Sequence, residues 1–146
     1  DLSLFEPLEK VFTFFTPLDP AIRTPIAIAL GAIPGALCRF YISTWLTQWL
    51  GEGFPYGTFI VNLSGSLLMG FIVTYALERV ALSPDVRVFL AVGFLGSYTT
   101  FSTYALDTVL MLSSKPLAMT LFYSLGSAGL GAIALVLCGI IARQMP

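Results

Sequence analysis

A chain of 146 residues with 57% hydrophobic and only 10% charged side chains cannot cover a water-facing surface with charge, because soluble domains carry roughly 25% charged residues. Its net charge of −1 leaves no basic footprint for nucleic acid. The absence of histidine removes imidazole metal ligation and His-assisted nucleophilic catalysis. These facts argue against a soluble enzyme and for a membrane protein, which the apolar spans below make all-α.

Residues 1–23 stand apart as an N-terminal extension. Leu4, Phe5, Leu8, Val11, Phe12 and Phe15 recur at helical spacing, with Glu6, Glu9, Lys10 and Thr13 on the other side. Pro7 suits the first turn of such a helix, and Pro17 and Pro20 end the stretch before it could cross a bilayer. The pattern predicts an amphipathic helix in the membrane interface. A disordered tail and a docking segment for a partner protein are the competing readings.

Residues 24–146 are expected to form a four-helix domain. A bilayer core needs roughly 20 apolar residues of helix. Thr24–Leu50, Thr58–Leu77, Val88–Leu106 and Pro116–Ala142 meet that need, with Arg39 the single charge among them. Short links of turn chemistry, including Gly51-Glu52-Gly53-Phe54-Pro55, make neighbours antiparallel. No cleavable signal peptide is expected, because apolar spans persist to the C-terminus. Lys10, Arg23, Arg79, Arg87 and Arg143 fall on one side and Lys115 on the other, which predicts both termini in the cytoplasm. Cys38 and Cys138 lie in apolar runs and read as buried small hydrophobes.

In the first span, Gly31 and Gly35 form a GxxxG packing pair. Arg39 sits roughly 16 Å of helix from the nearer end, close enough to snorkel to the interface. An intramembrane ion is also a functional candidate, and Asp107 is the expected counter-charge. The second span places Asn62, Ser66 and Gly70 on one face. An unpaired intramembrane amide is costly and offers two donors, so helix-packing glue and pathway lining are both open.

The third span runs Gly93-Phe94-Leu95-Gly96-Ser97-Tyr98-Thr99-Thr100-Phe101-Ser102-Thr103-Tyr104. Glycines and hydroxyls at this density weaken regular helix, which predicts a break at membrane depth, tolerated where freed backbone groups line a cavity or hold an ion. A tightly packed small-residue crossing accounts for the same residues. In the fourth span, Tyr123, Ser127 and Gly131 share a stripe. A small-residue helix interface, helped by Gly126 and Gly129, is the plainer explanation.

Three blocks in order, Gly31 through Phe40, Gly57 through Gly65 and Gly93 through Tyr104, resemble the Fluc (CrcB) family of fluoride channels. The likeness extends over roughly Ile26 to Ala142, and the TTFST core in a glycine-flanked span is its most specific mark. It implies a passive fluoride-selective channel in the plasma (inner) membrane, built as an antiparallel homodimer with two pores. It also implies a structural Na+ at the dimer centre, held by carbonyls of residues matching Gly96 and Thr99. The fluoride pathway would use Phe101 and Tyr104, the Asn62 amide, Ser102 and Thr103, and a track of Tyr123 and Ser127. Arg39 matches a vestibule arginine. Tyr104 stands where the family usually has a second phenylalanine, Asp107 where it has glutamate, and Gly131 lacks a track hydroxyl.

The residue chemistry accords with that assignment. Aromatic ring edges are electropositive, amide and hydroxyl protons can replace water around fluoride, and a buried cation favours an anion nearby. A small multidrug exporter needs a glutamate within a span, and none is present. A non-conducting subunit of a larger membrane complex is the alternative function. The charge asymmetry also admits pairing with an inverted homologous chain.

Overall fold

The computed structural model describes residues 4–79 and 82–145, with side chains at all of these positions except 76–79. The expected end of the second span at Leu77 and the charges of Glu78 and Arg79 concern those side chains and lie outside the described features. The elements are α1 (Glu6–Thr13), α2 (Pro20–Leu50), α3 (Tyr56–Phe71) with a π-helical continuation (Ile72–Arg79), and α4 (Pro84–Arg87) with a π-helical continuation (Val88–Leu95). After these come α5 (Gly96–Tyr98), α6 (Phe101–Ser114) and α7 (Leu117–Gln144).

Three helical stretches, Pro20–Leu50, Tyr56–Tyr75 and Leu117–Gln144, are each long and apolar enough to cross a membrane. The remaining crossing is made in pieces: α4 to α5, then Thr99 and Thr100 in extended conformation, then α6. The four-span reading with a broken third helix therefore holds.

Span boundaries moved outward where capping chemistry decided them. α2 begins at Pro20 and not Thr24, because Asp19 Oδ1 accepts from the Ala21 N–H at 2.8 Å and Pro20 occupies the first turn. A proline there removes a backbone donor that a helix start leaves unpaired anyway. α2 stops at Gly51, whose φ of 82° favours glycine.

Lipid is as apolar as leucine, so helices in a bilayer associate through close packing of small residues. α2 packs along the π-helical Val88–Leu95, and α3 packs along α7. A methyl group on Gly31 would overlap the carbonyl oxygen of Phe89, and one on Gly35 that of Phe94. The predicted packing pair is thus the seam between the first and third spans. Gly70 gives the second seam, where a methyl would meet the carbonyl of Leu135 on α7. Gly131 faces Ser66, whereas a methyl placed on Gly129 would meet nothing within 4 Å among the described residues of this copy.

The N-terminal segment folds back onto the bundle. Phe5 and Phe12 are 6% and 2% exposed, in one cluster with Leu82, Val86 and Leu95. The Phe12 ring meets Phe89 edge-on, with centroids 5.6 Å apart. Glu9 Oε1 accepts from the Ser83 N–H at 2.8 Å, and Arg23 Nε pairs with Asp85 Oδ2 at 2.8 Å.

Candidate functional site

The interruption of the third span organises the site. Thr100 has φ −147° and ψ 118°, outside helix, and its Oγ1 accepts from the Thr103 N–H at 3.3 Å to start α6. Threonine is a natural residue for that cap. Asn62 on α3 then serves both backbone groups of Thr100. Its Nδ2 donates to the Thr100 carbonyl at 3.0 Å, and its Oδ1 accepts from the Thr100 N–H at 2.8 Å. One amide side chain supplies what a paired strand would, and its second N–H remains for another partner.

This pairing alters the preceding turn. In a continuous helix the Thr100 N–H would donate to the Gly96 carbonyl, but here it goes to Asn62. A methyl on Gly96 would meet only the Ala91 oxygen, at 3.8 Å, so the surroundings of this glycine are open. The Thr99 carbonyl also lies outside helical pairing and accepts from Arg39 Nη1 at 3.4 Å. The Gly96 and Thr99 oxygens are therefore suitable donors for a small hard cation, which takes oxygen ligands.

The ion pair expected between Arg39 and Asp107 is not formed. Arg39 turns to the Thr99 carbonyl, while Asp107 Oδ2 accepts from the Tyr123 hydroxyl at 3.1 Å. The break places a carbonyl within reach of the guanidinium, and the phenol satisfies the carboxylate.

Second-span residues support the break from behind. Ser64 Oγ and the Tyr98 hydroxyl share a hydrogen bond at 2.8 Å, and Tyr98 is buried beside Phe94 with nearly parallel rings. Gly65 lies against the Thr99 methyl. Ser66 Oγ donates to the Asn62 carbonyl at 2.8 Å.

A cavity of about 340 Å³ opens beside the break, lined among others by Asn62, Ser66, Thr99, Phe101, Tyr104 and Ser127. Ser127 Oγ is buried and has no hydrogen-bond partner among the described residues. The Phe101 and Tyr104 rings are tilted, with centroids 5.6 Å apart, and the Tyr104 hydroxyl donates to the Ser124 carbonyl on α7 at 2.9 Å. Tyr123 does not line this cavity; it is fully buried against Phe54, with its ring 5.5 Å from that of Tyr104. Ser102 and Thr103 lie exposed on the first turn of α6. Asp107 lines a second cavity of about 480 Å³ with Glu52, Thr58 and Lys115.

Sequence reasoning passed over Thr100, Ser64, Tyr98 and Ser124. Only Thr100 carried a local signal, a threonine three residues before Thr103 at the start of an apolar run. The cap could have been read from it.

An interrupted span set among intact ones, with polar groups gathered at the interruption, defines a multi-pass integral membrane protein with an internal polar site. The family described as CrcB-like protein, Camphor Resistance (CrcB), matches residues 26–140. A relative from Trichormus variabilis named "Fluoride-specific ion channel FluC" is 54% identical over 126 residues, 86% of this chain and 92% of the relative. Proteins of the same name from Synechococcus and Synechocystis are 50% and 49% identical, the matches spanning 97% and 98% of their lengths. The chain belongs to the CrcB family, a family of ion channels and not of enzymes.

Proposed function

We propose that this protein is a passive, fluoride-selective channel that exports fluoride across the plasma membrane. The carrying observation is the cavity at the break, where amide, hydroxyl and aromatic groups converge with no carboxylate among the lining residues. The names of the relatives support the same anion. Fluoride must exchange its water shell for closely spaced donors, and electropositive ring edges can contribute. Phe101 and Tyr104 supply edges, Asn62 its second amide proton, and Ser127 its unpartnered hydroxyl. Ser102 and Thr103 extend the route along the exposed first turn of α6, Tyr123 backs the Tyr104 ring from behind the cavity, and Arg39 gives the vestibule a positive charge.

The working unit is an antiparallel homodimer with two pores. Phe101, at 80% exposed, and the neighbouring Ser102 and Thr103 are the surface that a second copy would cover. Gly96 and Thr99 of each copy would hold a structural Na+ through their carbonyls. Arg39 does not preclude this, since a carbonyl oxygen has two lone pairs. A bound cation would supply fixed positive charge near the anion route.

Fluoride efflux from liposomes containing the purified protein tests the reading. Efflux that needs no proton gradient and excludes chloride is expected. Equal fluoride and chloride rates would overturn it, and no flux from a folded protein would favour a non-conducting subunit.

A further inference from the structure

The extension lies outside the family match, which begins at residue 26, and α1 has three faces where the sequence suggested two. Phe5 and Phe12 are buried on the bundle, with Leu8 and Phe15 partly buried alongside them. Glu6, Lys10 and Thr13 form an exposed polar face on which Lys10 and Glu6 pair at 2.7 Å. Leu4, Val11 and Phe14 are 64%, 51% and 81% exposed and form a separate apolar face. At about 100° per residue, this apolar face falls beside the docked face, and the polar face lies opposite the pair.

We infer that α1 is a membrane-surface helix wedged between the bundle and the lipid leaflet, with Leu4, Val11 and Phe14 entering the boundary between headgroups and acyl chains. Two observations identify lipid as the occupant. Exposed apolar side chains follow along the chain at Leu18 and Ile22, up to the first turn of the membrane-crossing α2. The docked face already has its protein partner, so the bundle holds the other apolar face at the edge of the bilayer. An interfacial helix buries its apolar side about 5–10 Å into that boundary, and here the Glu9 to Ser83 bond ties α1 to the start of α4.

The test uses the full chain with Cys38→Ala and Cys138→Ala, and an environment-sensitive fluorophore on a single introduced cysteine. The protein is reconstituted in vesicles of equal phosphatidylcholine and phosphatidylglycerol. With Phe14→Cys, nitroxide attached to shallow acyl carbons should quench several-fold more than aqueous iodide does, and Lys10→Cys should show the reverse. Val11→Cys supplies a second apolar position in case loss of Phe14 weakens the anchor. A single symmetric peak on size-exclusion chromatography, at the volume of the unlabelled protein, verifies that each labelled protein is folded. Iodide quenching at positions 11 and 14 equal to that at position 10 would overturn the inference. Shielding of both from lipid and aqueous quenchers would overturn it as well, in favour of a covering protein.

Discussion

Asn62 holds both backbone groups of Thr100, so its replacement has a cost that can be divided by group. Asn62→Ala leaves a donor and an acceptor unpaired, each worth about 1–3 kcal/mol when buried. A lower thermal midpoint in detergent is the expected result. Asn62→Asp keeps the acceptor, loses the donor and adds a negative charge beside an anion route; flux at least about tenfold lower is expected. Tyr104 gives a complementary comparison. Tyr104→Phe retains the ring and gives up the bond to Ser124, costing about 1 kcal/mol, with fluoride efflux retained or increased. Tyr104→Ile and Phe101→Ile remove the ring edge and should reduce efflux strongly, whereas Phe122→Ile, away from the cavity, should change it little. Normal efflux from a folded Phe101→Ile, Tyr104→Ile double variant would remove the aromatic-edge mechanism.

The third crossing depends on seams with no room for a side-chain carbon. Gly31→Ala would drive its methyl into the Phe89 backbone oxygen, which cannot rotate away as a side chain can. Overpacking of this kind costs typically about 1–3 kcal/mol, so a reduced thermal midpoint and a smaller folded fraction on size-exclusion chromatography are expected. Gly129→Ala meets nothing within 4 Å and should be neutral or slightly stabilising, since alanine is the better helix former. The sequence distinguished these glycines poorly. Gly31 and Gly35 were legible because four-residue spacing already specifies a close crossing. Gly129 offered similar local spacing, and only the rotation of α7 against α3 shows which glycine of that stretch meets a neighbour.

For the whole molecule, the four crossings were legible from apolar length, and the break from its density of glycine and hydroxyl residues. The groups that pair at the break were not. Arg39 was matched with Asp107 because a sequence displays side chains, whereas its partner is the carbonyl of Thr99. Tyr104 likewise bonds a carbonyl, that of Ser124. Backbone oxygens acquire an address only after folding. Two global outcomes follow. Removing residues 1–18 should preserve fluoride efflux and lower thermal stability, because burial of Phe5 and Phe12 is lost while the family-matched region stays whole. Replacing Na+ throughout purification with N-methylglucamine should reduce the dimer fraction seen by light scattering; a dimer indifferent to Na+ would remove the carbonyl-held ion.

The amide that splints Thr100 comes from α3, earlier in the chain than the segment it serves, whereas the carbonyl that anchors Tyr104 comes from α7, later in the chain. A growing polypeptide emerges N-terminus first. The receptor for the exposed backbone of the third crossing is thus already made when that crossing leaves the ribosome. The aromatic ring beside it must wait for the last helix. That order allows the costly polar interruption to be satisfied early, while the anchor of the Tyr104 ring is completed at the end. A nascent chain arrested before α7 would keep its Asn62 splint but leave Tyr104 untethered and the Gly70 seam open. It would be an intermediate with its polar backbone partnered and its last aromatic anchor unmade.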